Sequence, residues 1–304
     1  MNHLPDDRQM AALGSDPEFC QRLLANSPVL QQFLNMHITA QLRGQLDELS
    51  VAPCGQIDVE LRPSELEGLF RLVAAQWEKV GSEKPHWSVL SSDEFLPSAL
   101  TPERLREFYA SGENEVRLLQ DLCTRNGLVL PGGGRCLEFG CGVGRVTIHL
   151  ARRFAAVEGV DISAPNLAEC RKIQQEQGLG NMLLRHLREP SELSAIEPFD
   201  VLFSRIVLQH NPPPVQRFLL KSLLERLRTG GVALFQTVVH GRGYAYNATS
   251  HLQNAQTQVF EMHALPMRYI FECLNECGCR CVEVIRDTSG GFNVGSYTFL
   301  VRKL

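Results

Sequence analysis

Between residues 135 and 302, short apolar runs alternate with stretches whose apolar residues recur at helical spacing, and that alternation demands a parallel sheet covered by helices. The runs lie at 135–139, 157–161, 181–186, 199–204, 231–238, 281–287 and 296–302. Seven of them predict an α/β fold with a doubly wound, mostly parallel sheet. Only a turn through Ser289, Gly290 and Gly291 separates the last two, so they are expected to pair as an antiparallel hairpin.

Upstream the texture is helical. Residues 17–48 carry Phe19, Leu23, Leu24, Leu30, Phe33 and Leu34 at helical spacing, interrupted by Pro28. Ser64 and Glu67 form a capping-box pattern ahead of a second helix reaching Val80. A loop-like segment follows, and Thr101 caps a helix from Pro102 to Tyr109. Residues 1–100 are read as a helical region serving as lid, dimerisation element or docking module for a biosynthetic complex, and residues 101–304 as the domain that holds the sheet.

A net charge of -4 provides no global basic field, so nucleic acid is not an expected partner. No window approaches eighteen uninterrupted apolar residues and no signal-like start is present, which predicts a cytoplasmic protein. Ten irregularly spaced cysteines then suit reduced thiols. Cys277, Cys279 and Cys281 alternate by two along an extended chain, with Cys273 one helical turn upstream; a helix running into a strand accounts for them without a metal. HExxH and paired-Asp motifs are absent, and no metal is expected.

The most informative local pattern is CLEFGCGVGRVTIHL. A strand ends at Glu138 and Phe139, glycines stand at 140, 142 and 144, and a helix is expected from about Val143. Missing side chains let the backbone approach a ligand while helix-start amides stay free to donate. A nicotinamide dinucleotide fingerprint would need glycine at 145, where this chain has arginine. Seventeen residues beyond Gly144, a second strand ends at Asp161, a position from which a carboxylate can accept from both hydroxyls of a ribose.

Acidic-x-GxGxG over Glu138 to Gly144, followed by Asp161, resembles the first two motifs of class I, Rossmann-like S-adenosylmethionine-dependent methyltransferases. The resemblance covers residues 135–240, and the hairpin extends it to 302. It implies that Glu138 lies near the amino group of the cofactor's methionine part, with Gly140, Cys141, Gly142 and Gly144 around it. It likewise implies Asp161 on the ribose and Ile162 against the adenine, with Glu189 near the adenine amino group and Arg205 beside the cofactor. Tyr109 is expected to close over the cofactor from upstream. Gln209, Asn211, Trp87, Tyr244 and Tyr246 are expected near the acceptor, and His251 and His263 fall in the same long polar insertion after the fifth strand.

A hydroxyl acceptor needs a place for its proton, and histidine suits that task because its pKa lies near working pH. His210, just after the fourth strand, and His240, just after the fifth, are the candidate bases. The upstream segment HWSVLSSDEFLPSALTPERLREFYASGENEV resembles methyltransferases of polysaccharide pathways, which implies O-methylation of a sugar, glycan or related small polar metabolite. Another small metabolite or a protein is the alternative acceptor. A non-catalytic scaffold would dispense with Glu138 or the glycines, and both are intact.

Overall fold

Each apolar run forms a strand: β1 Arg135–Phe139, β2 Ala156–Asp161, β3 Met182–His186, β4 Phe199–Ser204, β5 Leu227–Gly241, β6 Cys279–Asp287 and β7 Val294–Lys303. The computed structural model describes residues 54–254, 260–291 and 293–304. The helices expected over 17–48 lie outside these described residues. The strands make one sheet in the order β3-β2-β1-β4-β5-β7-β6. β1 to β5 run parallel, and β7 is antiparallel to both its neighbours, so the expected hairpin is present with β7 inserted between β5 and β6.

The central strands are mostly apolar because both sheet faces are covered. Pleating sends Leu137, Phe139, Leu202 and Phe235 into one core cluster and Cys136, Val201, Phe203 and Leu234 into the other. The first cluster takes in Leu219, Leu220 and Leu223 of α6 Pro213–Arg226 and Ile270 and Leu274 of α8 Met267–Glu276. The second takes in Leu119 and Leu122 of α3 Pro102–Arg125 and Ile148 and Leu150 of α4 Thr147–Arg153. Strand β2 also buries a charge: Glu158 is 1% exposed, and Arg135 and Arg185 from the flanking strands pair with it. Such flanking is what makes a buried carboxylate tolerable.

Two upstream helices, α1 Pro63–Glu83 and α2 Pro85–Val89, pack on α5 Ala164–Glu176. Leu69 and Phe70 of α1 join the first core cluster, so these helices belong to the same compact unit, Pro53–Leu304, as the sheet. The division expected at residue 100 does not coincide with that unit. Helix α1 starts at Pro63, which suits a first helical position, and Glu65 rather than Glu67 accepts from the Arg62 amide at 3.1 Å. Helix α3 is capped by Thr101 as expected, its hydroxyl accepting from the Arg104 amide at 3.3 Å, but it runs on to Arg125. Gly112 within it faces the carbonyl of Arg145, which would stand 1.9 Å from a Cβ.

Among the described residues no helix is long and apolar enough to cross a membrane. Strand order reverses between β1 and β4, which opens a crevice beyond their carboxyl ends; ligands of open parallel sheets bind at that switch point.

Candidate active site

Past β1 the chain turns sharply, and Gly140, Gly142 and Gly144 take φ of +78°, +54° and +85°. A Cβ at Gly140 would meet Val207 Cγ2 at 2.3 Å, and one at Gly144 would meet Cys170 Sγ at 2.5 Å. Any other residue there is opposed by both backbone conformation and space. Amides of Gly140 and Cys141 donate to the Val160 carbonyl at 2.7 and 3.1 Å, tying the loop to β2. Because the left-handed turn at Gly144 cannot continue a helix, α4 begins at Thr147 and not at Val143.

The loop floors a cleft that opens to solvent. Glu138, Gly140, Cys141, Gly142, Asp161, Ile162, Arg205, His210 and Asn211 all line it, so nine of the residues singled out in the sequence are brought together. Asp161 is fixed by two backbone donors, the Gly142 amide on Oδ2 at 2.7 Å and the Ser163 amide on Oδ1 at 2.8 Å. Burial raises its pKa and these two bonds oppose the rise. Each oxygen keeps a lone pair for a further donor.

Glu138 is 4% exposed, and burial pushes its pKa up to about 8, with Thr147 and Arg145 pulling the other way. Its Oε2 is buried and has no hydrogen-bond partner. A buried carboxylate oxygen without a partner is satisfied by a cationic donor, and an amino-acid ammonium supplies one. Around it stands an ion cluster: Glu115 of α3 bridges Arg145 at 3.4 Å and Arg205 at 2.6 Å. Arg205 also donates to Ser289 Oγ at 2.9 Å. Cys141 is buried in the loop, and its hydrogen bonding with Cys170 together with burial pushes its thiol well above the usual range.

Beyond the glycine loop the cleft becomes apolar. Ile206 holds φ +59°, a costly conformation for a β-branched residue, stabilised by its amide donating to Gln236 Oε1 at 2.9 Å. Trp77 of α1 and Phe260 stand edge-on to His210, with ring centroids at 5.4 and 6.0 Å. Burial lowers the pKa of His210 to about 4, so the ring is neutral at physiological pH. Its Nδ1 lies 3.0 Å from the Glu261 carbonyl, which makes Nδ1 the protonated nitrogen and Nε2 the acceptor. Asn211 donates to the Val207 carbonyl at 3.0 Å, which holds the turn between β4 and α6.

Other expected residues lie elsewhere. Tyr109 is buried behind the loop, its hydroxyl donating to the Val143 carbonyl at 3.3 Å, and burial pushes its pKa up. The cover over the loop comes instead from α2, whose Val89 Cγ2 would stand 2.7 Å from a Cβ at Gly142. Trp87 contacts Phe260 at 5.1 Å and carries the Lys84 ammonium over its ring at 3.8 Å, outside the cleft lining. Glu189 is exposed and its carboxylate accepts from Ser191. Gln209 is 1% exposed and held by Gln236, which donates to it at 2.7 Å, so it braces the strands. His240 pairs with Cys54 Sγ at 2.9 Å, away from the cleft. Tyr244 bonds His263 at 2.9 Å, and Tyr246 packs on His251 and His263. The thiols of Cys273, Cys277, Cys279 and Cys281 lie against four separate carbonyls.

Trp77, Ser88, Val89 and Phe260 of the lining were not anticipated. For Trp77 a signal existed, since Phe70 and Trp77 are seven residues apart on one helix face. Phe260 had none.

A family model described as a methyltransferase domain matches residues 109–284. Ubiquinone biosynthesis O-methyltransferase of Psychrobacter cryohalolentis is 26% identical over 183 residues, 59% of this chain and 65% of that protein. The protein of the same name from Parvibaculum lavamentivorans is 28% identical over 178 residues, 58% of this chain and 62% of that protein. The chain thus spans just under two thirds of the length of these relatives. Among solved structures, magnesium protoporphyrin IX methyltransferase of Synechocystis PCC 6803 with bound SAH is similar, with a TM-score of 0.52 and 18% identity over 77% of this chain and 99% of that one. The chain belongs to the methyltransferase domain family. Its fold is a seven-stranded α/β sheet covered by helices.

Proposed function

We propose that the chain methylates a hydroxyl group on a small aromatic acceptor. The observation that carries this reading is the wall beyond the glycine loop, where Phe70, Trp77, Val207, Leu219 and Phe260 line the cleft with a single buried imidazole, His210, against which Trp77 and Phe260 stand edge-on. An aromatic ring gains apolar burial and edge contacts there. The name carried by the relatives, ubiquinone biosynthesis O-methyltransferase, supports an O-linked reaction. The sugar or glycan acceptor expected from the sequence has less support, because Gln209, Tyr244 and Tyr246 do not line the cleft.

The residues present suit the cofactor. Glu138 would accept from the ammonium of its methionine part, the Gly140–Gly142 backbone would approach the same part, Asp161 would accept from the ribose hydroxyls, and Ile162 would cover the adenine. Bound S-adenosylmethionine supplies a methyl group on a sulfonium, open to in-line displacement by the acceptor oxygen. His210 would take the acceptor's proton on Nε2, exchanging the long 3.4 Å contact from the Gln209 amide for the substrate hydroxyl. The hydrogen bond at Nδ1 fixes the required tautomer. His240, which does not line the cleft, is not given this role. Trp77 and Phe260 would exclude water from the reacting centre.

The test is transfer of labelled methyl from S-adenosylmethionine to a panel of phenols and catechols alongside sugars. Transfer to phenolic hydroxyls, with Trp77→Ala raising the acceptor KM and leaving S-adenosylhomocysteine affinity unchanged, is expected. Transfer to sugars alone would overturn the acceptor assignment.

A further inference from the structure

The insertion between β5 and α8 carries side chains that the methyl-transfer cleft does not use. His251 on α7 Ala248–Gln253, with Glu261 and His263 further along, brings two imidazoles and a carboxylate together with ligand atoms within 4.8 Å of one another, the one such group among the described residues. His263 Nε2 lies 3.0 Å and His251 Nε2 3.5 Å from the same atom, Glu261 Oε2. Donors around a tetrahedral ion with bonds of ~2.0–2.1 Å stand roughly 3.3 Å apart, so two of the three edges already have the required length.

Two further observations point to a ligand. His263 presents Nε2 to the cluster while its Nδ1 is held 2.9 Å from the Tyr244 hydroxyl, the outer partner that orients metal-bound imidazoles. The Tyr246 hydroxyl is buried without a hydrogen-bond partner, and its ring packs edge-on against His251 at 5.6 Å and His263 at 5.4 Å. A metal-bound water would give that hydroxyl a partner.

We propose that His251, Glu261 and His263 bind one divalent ion of the zinc class, with water completing the site and Tyr244 as its outer partner. The ion anchors the wall of the cleft and takes no part in the methyl transfer. The Glu261 carbonyl accepts from His210 Nδ1 at 3.0 Å, and the His263 amide donates to the Gln209 carbonyl at 2.7 Å. Phe260, next to Glu261, holds φ +62° and stands 5.2 Å from Trp77. Coordination at Glu261 offsets the cost of that backbone conformation and fixes both Phe260 and His210.

The experiment is titration of the chelator-treated 304-residue chain with zinc against a chromophoric competitor, repeated with cobalt to read its visible ligand-field bands. One equivalent per chain is expected. Tyr244→Phe, which keeps all three ligands, should weaken binding roughly 10- to 100-fold. Glu261→Gln and His251→Ala should weaken it further, and S-adenosylhomocysteine affinity should be unchanged in all three. Absence of saturable zinc binding by the unsubstituted chain, or full affinity in both ligand variants, would overturn the proposal and leave a hydrogen-bonded triad. Since zinc is read directly, failure here is distinct from failure of the methyltransferase reading, which would appear as loss of S-adenosylhomocysteine binding.

Discussion

Glu138→Gln should make the protein more stable and less able to bind its cofactor. In the ligand-free protein burial raises the Glu138 pKa from 4.5 to about 8. A carboxyl with a raised folded-state pKa holds its proton when the unfolded chain has lost it, so stability is fullest below pH 4.5 and falls as pH rises toward 8. The slope is about 1.4 kcal/mol per pH unit, which amounts to up to about 3 kcal/mol at pH 7. Glutamine has the same shape and cannot ionise. Denaturant unfolding at pH 5, 7 and 8 should therefore give curves that nearly coincide at pH 5 and diverge in favour of the variant above it. The same substitution removes a charged acceptor from the ammonium, so affinity for S-adenosylhomocysteine should drop roughly 10- to 100-fold. In the unsubstituted protein, binding at pH 7 should release close to one proton, visible as a dependence of calorimetric enthalpy on buffer. Parallel stability profiles, or binding without proton release, would refute the reasoning.

Three other substitutions test the rest of the site. His210→Ala should lower kcat roughly 10²- to 10⁴-fold with S-adenosylhomocysteine affinity unchanged, as read by steady-state kinetics and calorimetry. Gly144→Ala sets a side chain at φ +85° against Cys170 and should cost roughly 1–3 kcal/mol in denaturant unfolding. Glu115→Ala leaves the buried Arg145 and the half-buried Arg205 without their shared carboxylate and should cost roughly 1–3 kcal/mol. The control is Glu113→Ala on the same helix, whose partner Arg117 is exposed, and it should change stability by less than about 1 kcal/mol.

All seven strands were legible as apolar runs, the central ones buried on both faces and β3 and β6 partly exposed at the sheet edges, and Glu138 to Asp161 was legible as one contiguous stretch whose glycines and carboxylates share a cleft. What covers that stretch was not. Val89 and Trp77 reach the cleft from helices far upstream, and only packing decides which turn of a helix meets a ligand. Neighbours also part company: His210 lines the cleft while Gln209, one residue earlier in the turn Leu208–His210, points into the strands. A register shift between Val238 and His240 in the pairing of β5 with β7 turns His240 toward Cys54, which strand alternation alone does not reveal. Tyr109 was placed on the right helix and the wrong side of the loop, since helical periodicity marks a buried face without naming what it is buried against.

The central claim is that the cleft over Glu138 and Asp161 holds S-adenosylmethionine. Calorimetric titration of the protein with S-adenosylhomocysteine at pH 8, where Glu138 ionises most readily, tests it most directly. One site per chain is predicted, with a dissociation constant in the range of roughly 1 μM to 1 mM usual for enzyme ligands. No saturable heat at ligand concentrations of several millimolar would contradict it.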